Sequence, residues 1–523
     1  MKFSAKLVAL VLLFIGQGCS PEAEKTTPPV TPVAAHPGKA YYEQYCGICH
    51  ALPDPSELDK TTWRDYVLVR MGAYMGIYFD NTRYYDSVPQ QWLEPGVGGE
   101  KMLSEGIYPE KPLLTRKEFE DLRDYVLETA PDKTYGPSGI LPVPMDLTGF
   151  KVRPVKLDTF QPFVSALHID EENKALYAGL FKQPLFKLSP SGERLESASG
   201  WTMPVQIERT PRGIEVVDLG SMGGSDLPQG GFRVASNMKN LDRNRSQMDW
   251  EGLMRPVQRR WADLDGDGDE DLVLAEFGYH FGKLSWWQTE GSKHQEMPLF
   301  EDDGTVAIEI QDFNEDQMPD ILALQANSDE KLVLYINQGG GNFKPKQLIR
   351  FSPAAGSANL EVVDFDGDGR PEILVAQGDN GDYPPILKKW HGLRLFSLDA
   401  QLTLKEIAYL PVNGAYGTQT RDYDQDGDMD IAAVSFYPNY QGRPEESFIY
   451  FEQTGNLEFK PHTFPQVSLS RWMVIEAGDL EGDGDEDIVL GAFNVRSSDA
   501  SEDTYQQWMK NYIPLLILEN TLR

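Results

Sequence analysis

Cysteine is scarce in this chain: 523 residues hold three, Cys19, Cys46 and Cys49. Each falls in a chemical context of its own, so none is left over for a structural disulfide. Histidine is nearly as rare, with seven copies. Basic residues are outnumbered, 48 Lys and Arg against 81 Asp and Glu, for a formal net charge of −33. That balance excludes nucleic acid and anionic membrane surfaces as partners, because both would repel the chain. Long apolar runs are lacking too. The one at the N-terminus, Leu7 to Ile15, is too short to cross a hydrocarbon layer of roughly 30 Å, and no later run is longer or more apolar. Phosphate loops, dinucleotide fingerprints and nucleophile constellations are missing as well.

What is present begins with export. Lys2 and Lys6 precede the apolar run, and Gly16-Gln17-Gly18 supplies small residues before Cys19. This arrangement resembles a bacterial lipobox, which implies lipidation of Cys19, removal of residues 1–19 as a signal peptide apart from that cysteine, and a cell-envelope location. An ordinary signal peptide cleaved near Gly18 is the alternative. Residues 20–37 read as a polar, proline-rich linker with nothing to bury.

Residues 38–132 have helical character. A helix is expected from Lys39 to Cys49, a second from Thr62 to Met75, and a third that Thr115 caps, with Glu118 completing a capping box, to about Thr129. Ile77 to Pro112, rich in Tyr, Pro and Gly, reads as an irregular flap.

The first of these helices ends in Cys46-Gly47-Ile48-Cys49-His50. In an exported chain this motif is a covalent haem attachment site: two thiols placed for thioether bonds to the haem vinyl groups, and an adjacent histidine as iron ligand. Zinc held by Cys46, Cys49, His50 and His36 is a competing reading, weakened by the absence of a second cysteine pair. A redox dithiol is another, weakened because no βαβ pattern surrounds the motif. The region resembles class I c-type cytochromes. The resemblance implies one haem c, with His50 as proximal ligand and a downstream methionine as distal ligand. Met71 is the expected methionine, with Met75 and Met102 as alternatives.

Residues 133–153 read as a second linker, and from residue 154 to 523 short strands and turns take over, with an internal repeat. Five acidic segments share one spacing. The first carries Asp263, Asp265, Asp267, Asp269 and Asp271. The second carries Asp312, Asn314, Asp316 and Asp320, and the third Asp364, Asp366, Asp368 and Glu372. The last two carry Asp422, Asp424, Asp426 and Asp430, then Asp479, Glu481, Asp483 and Asp487. Oxygen side chains at positions 1, 3, 5 and 9, with a carbonyl at position 7 and glycine at position 6 for the sharp turn, suit calcium, which takes six to eight oxygens. Magnesium would demand a smaller, stricter octahedron. Position 12 is apolar and the flanks read as strands, which excludes an EF-hand. The second segment has Gln317 in place of the glycine.

The segments start 49, 52, 58 and 57 residues apart, a period that suits one four-stranded sheet per repeat. They resemble FG-GAP or VCBS-type repeats, as in the integrin α-subunit propeller, with echoes at Phe277-Gly278, Ile336 to Phe343 and Gly491-Ala492-Phe493. Leu167 to Tyr177 and Ile207 to Leu219 read as two worn copies. The expected fold is therefore multidomain: a small all-α cytochrome c-like domain followed by an all-β propeller of seven blades. The run Ile513 to Leu518 is expected to pair with the first blade and close the ring. The resemblance implies four or five calcium ions with a structural role.

The expected function is electron transfer by the haem, with the propeller binding a partner protein or extracellular ligand and a lipid tethering the chain to a bilayer. One alternative is a propeller dehydrogenase that passes electrons from a sugar or small molecule to the haem, with His168 or His280 as base. Another is a calcium-dependent adhesion module.

Overall fold

The computed structural model describes residues 36–77, 104–109, 111–243, 248–291, 293–381 and 384–522. The signal peptide, Cys19, most of the linker, Met102 and most of the flap lie outside the described residues.

Seven four-stranded antiparallel sheets follow one another along the chain. Six are contiguous, at 164–198, 204–253, 256–300, 305–350, 357–411 and 415–462. The seventh joins the strands Trp472–Gly478, Asp487–Ala492 and Leu515–Asn520 to the N-terminal strand Phe150–Val155. The two worn copies are blades one and two, and the five acidic segments belong to blades three to seven. The run ending at Leu518 does not pair with the first blade. It forms the third strand of the last blade, and Phe150–Val155 adds outside it, with Phe150 opposite Asn520 and Val155 opposite Leu515. The propeller thus begins at residue 150 rather than 154.

Second strands are buried throughout, as in Asp271–Glu276, Asp320–Gln325 and Asp430–Ser435. Both faces of these strands are covered by neighbouring blades, so they read as continuous apolar runs rather than alternating ones. First strands neighbour one another around the axis. Their inner edges are open, and side chains of the preceding blade satisfy part of the edge in blades two, three, four and six. The backbone N–H groups of Arg209, Arg259, Ile308 and Thr420 donate to His168 Nε2 (2.9 Å), Gln206 Oε1 (2.8 Å), Gln258 Oε1 (2.6 Å) and Glu361 Oε2 (2.9 Å).

Ahead of the propeller, the helix Pro37–Tyr45 packs against the helix Arg116–Thr129. Gly38 makes the approach close, since a methyl group there would overlap the carbonyl oxygen of Asp121. The rings of Tyr42 and Tyr125 meet across the pair, tilted by 55° with centroids 5.5 Å apart. The expected capping box is present: Glu118 N–H donates to Thr115 Oγ1 (3.3 Å), and Thr115 N–H to Glu118 Oε2 (2.7 Å). The first helix stops at Tyr45, four residues short of Cys49. The second segment is not one regular helix. A turn, Lys60–Thr62, passes into a π-helical stretch, Trp63–Val67, and then an α-helix, Leu68–Tyr74. The wider turn shifts the buried stripe, so Trp63, Val67, Leu68 and Met75 are inside while Tyr66 is 42% exposed. Among the described residues, no helix is long and apolar enough to cross a membrane.

Candidate functional site

Because antiparallel strands alternate in direction, the turns between first and second strands gather on one face of the propeller. The turns between second and third strands, and between blades, gather on the other. The acidic loops occupy the first face and the helical segment rests on the second. Arg350 NH2 donates to Cys49 O at 3.3 Å, and Ser352 Oγ to Glu57 Oε2 at 2.6 Å. Ala354 and Trp390 join the apolar cluster of Tyr42, Cys46, Trp63 and Phe119.

Cys46 is buried and Cys49 exposed, and both are free thiols. Burial pushes the Cys46 thiol up to about 12, and burial, then Asp302 and Asp329, push that of Cys49 up. Thiols held in the protonated form make poor redox nucleophiles, which counts against a thioredoxin-like dithiol. His50 Nδ1 lies 2.8 Å from Ala51 O. A carbonyl oxygen only accepts, so Nδ1 carries the proton and Nε2 is the nitrogen with a lone pair to offer an iron. Ile48 (60% exposed) and Leu52 (44%) flank the motif with apolar surface that a planar apolar group could cover. These features fit a covalently attached haem. Met75 is buried in the cluster that includes Cys46, and Met71 packs against it partly exposed.

The two histidines considered as bases are both bonded. His280 Nδ1 lies 2.8 Å from Asp226 Oδ2, and its Nε2 lies 3.0 Å from Tyr74 Oη. His168 Nε2 accepts the Arg209 N–H, and its Nδ1 lies 3.7 Å from Glu476.

On the opposite face the acidic loops share one hydrogen-bond scheme. The position-1 carboxylate accepts backbone N–H groups across the turn, one at Asp422, three at Asp479 and two in each of the other loops. Asp263 takes those of Gly266 (2.8 Å) and Gly268 (3.0 Å), and Asp364 those of Gly367 (2.8 Å) and Gly369 (2.9 Å). Position 9 is nearly inaccessible at Asp271, Asp320, Glu372, Asp430 and Asp487. There one carboxylate oxygen accepts the position-2 N–H, as from Leu264 to Asp271 at 3.1 Å. In four loops the other oxygen accepts an N–H from the end of the third strand: Thr289, Asn337, Gln453 or Asn520, each at 2.8 Å.

Sequence reasoning missed these third-strand residues. Their side chains also stitch blades together: Asn337, Gln453 and Asn520 donate to Leu264 O (2.8 Å), Phe365 O (3.2 Å) and Tyr423 O (2.8 Å). The amides stand 17, 23 and 33 residues after position 9, so no fixed spacing marks them in the sequence.

In three loops the ligand oxygens lie within 4.8 Å of one another: Asp263, Asp265 and Asp271; Asp364, Asp366 and Glu372; Asp422, Asp424 and Asp426. Burial, and behind it neighbouring carboxylates, push Asp320 up to about 6 and Glu372 and Asp430 up to about 7. A cation would relieve that strain, and an all-oxygen donor set fits calcium. In the second loop, Asn314 Nδ2 donates to Asp316 Oδ2 at 2.9 Å, so part of its ligand set is bonded to itself.

A family model described as FG-GAP-like repeat matches residues 312–375 and 409–490. Among curated proteins nothing matches. Among solved structures, the chain is similar to the N-terminal domain of Nup159, with 9% identity, a TM-score of 0.41, and coverage of 74% of this chain and 99% of that one. It is also similar to the Pan2 WD40 domain of Neurospora crassa, with 10% identity, a TM-score of 0.42, and 72% and 97% coverage. The Cps50 (Swd1) β-propeller domain of Myceliophteria thermophila matches at 9% identity and a TM-score of 0.42, covering 71% and 99%. The chain carries FG-GAP-like repeats on a seven-bladed β-propeller, an architecture compatible with a binding module.

Proposed function

We propose that this chain is an extracytoplasmic electron-transfer lipoprotein, with one haem c attached through Cys46 and Cys49. In this reading His50 is the proximal ligand, Met71 the distal one, and Cys19 the lipidated residue that tethers the chain to the cell envelope. The observation that carries it is the pairing of two free thiols, three residues apart, with a histidine whose Nδ1 is committed to Ala51 O. The haem, when bound, supplies one-electron chemistry. The chain's own part is orientation and access. The Ala51 carbonyl fixes the His50 tautomer, the buried cluster around Cys46 and Trp63 excludes water from one side, and Arg350 and Ser352 hold the segment on the propeller. The other face of the propeller is left to a partner protein or ligand.

Calcium in the acidic loops is the second element of the reading. It is supported by the convergence of three carboxylates in each of three loops and by the burial that disfavours their charge without a cation. The role assigned to it is structural. The dehydrogenase alternative draws no support from His168 or His280, since both ring nitrogens of each face partners.

The test is the absorption spectrum of the soluble part, matured with haem-attachment machinery, oxidised and then reduced. A sharp reduced α-band that survives acid-acetone extraction is expected. Failure to attach haem where a control cytochrome matures would leave a calcium-dependent binding propeller.

A further inference from the structure

The five acidic loops are alike in spacing but not in how well their oxygens are satisfied. Position 7 is Asp269 in the first loop, Met318 in the second, Arg370 in the third and Asp428 in the fourth. The side chains of Asp269 and Arg370 are exposed, and that of Met318 is not a calcium ligand. In the last loop position 7 is Asp485, which is 3% exposed, and neither of its carboxylate oxygens has a hydrogen-bond partner. Glu481 Oε2 in the same loop is also buried without a partner. A buried carboxylate left without a donor is costly, and a bound cation supplies the missing partner.

This loop belongs to the blade that closes the ring. Asp487 accepts the N–H of Leu480 within the loop (3.0 Å) and that of Asn520 at the end of the last strand (2.8 Å). Asn520 stands opposite Phe150, the first residue of the N-terminal strand. Arg153 of that strand lies 3.6 Å from Glu481. The loop is therefore bound once to each of the two strands whose pairing closes the ring.

Resting on the calcium reading above, we propose that the last loop binds its ion through the side chain of Asp485 as well, and that this ion is the clasp of the ring. With the ion in place the loop is held against Asn520 through Asp487, and the strand Phe150–Val155 stays zipped to Leu515–Asn520. Without it the closing blade opens ahead of the others.

Calcium stoichiometry by native mass spectrometry and hydrogen exchange by mass spectrometry, on the full soluble chain, test this. The variants are Asp485→Asn, which keeps the shape and removes the charge, and Asp428→Asn, the position-7 residue of the fourth loop, as the control. Asp485→Asn is expected to lose one ion and to exchange about tenfold faster over 150–155, with blades three to six still protected by calcium. Asp428→Asn is expected to keep the wild-type ion count. An unchanged ion count in Asp485→Asn, or closing-strand protection indifferent to calcium in the wild type, overturns the proposal. A wild-type chain that binds no calcium overturns the underlying calcium reading instead, and the two failures are told apart by the wild-type ion count alone.

Discussion

The hydroxyl of Tyr74, at the end of the helix before the flap, lies 3.0 Å from Nε2 of His280, a residue of the third blade. Behind His280, Asp226 of the second blade accepts from its Nδ1 and from the backbone N–H groups of His280 (2.8 Å) and Phe281 (3.1 Å). A carboxylate that accepts three N–H bonds is rigid, so His280 presents a fixed nitrogen to the helical segment. Tyr74→Phe keeps the ring and removes the bond. It is expected to cost about 1 kcal/mol, and more if His280 Nε2 is left unpaired. Chemical denaturation, with proteolysis read at the helical segment, checks this. Cleavage as slow as in the wild type would mean that the bond does not hold the segment down.

Glycine is required at few places, but the acidic loops are among them. Position 6 has a φ of 94° at Gly268, 87° at Gly369, 99° at Gly427 and 93° at Gly484, whereas in the second loop Gln317 sits at 69°. A side chain at such an angle is strained by roughly 1–2 kcal/mol. Gln317→Gly is expected to raise stability by about 1 kcal/mol, and Gly268→Ala to lower it by a similar amount. Paired thermal melts decide the matter, and a destabilised Gln317→Gly would show that the glutamine side chain makes up for its backbone.

Acidity and calcium should trade against each other. The carboxyls of Asp320, Glu372 and Asp430 lie at about 6, 7 and 7, above the unfolded value near about 4, because burial disfavours their charge. The calcium-free folded chain then binds more protons than the unfolded chain between those values. Its stabilisation from these groups is complete below the unfolded pKa and is lost as pH rises through 6 to 7. Calcium binds the ionised form, so the gain in melting temperature on adding calcium should grow from pH 5 to pH 8. A calcium effect that is flat across this range would argue against these residues as ligands.

Gly38→Ala places a methyl group against the Asp121 carbonyl, where the two helices meet backbone to backbone. A cost of about 1–3 kcal/mol is expected, confined to the helical segment. Hydrogen exchange over residues 116–129 should rise while the blades stay protected. Unchanged exchange there would mean that the helices part without cost.

The repeat made the propeller readable. Five loops at one spacing placed blades three to seven, and the worn stretches at Leu167 and Ile207 placed the first two, because strand period and apolar second strands persist after loop ligands are lost. Thr115 and Glu118 announced their helix because a cap is local chemistry. What could not be read is non-local. The strand that closes the ring comes from residues 150–155, and its partner is defined by hydrogen bonds to a segment at the far end of the chain. The π-helical stretch at Trp63–Val67 places Trp63 and Val67 in one buried cluster with Phe119 and Leu122, residues more than fifty positions away. In the sequence His280 is a conceivable base in a glycine-aromatic loop, and only the fold brings Asp226 and Tyr74 to its two nitrogens.

The closing strand has a consequence for how the chain is made. Phe150–Val155 leaves the ribosome well before Leu515–Asn520, and at about 5–20 residues per second the wait is on the order of half a minute. Throughout that interval it is an unpaired edge, the kind of segment that recruits strands from other molecules. Its sequence, Phe150-Lys151-Val152-Arg153-Pro154-Val155, carries two positive charges and a proline, which repel strand addition and remove a donor. Once the last strand arrives, those same charges meet Glu519 and Glu481, with Lys151 3.0 Å from Glu519. The residues that guard the nascent edge against strangers are the ones that recognise its proper partner.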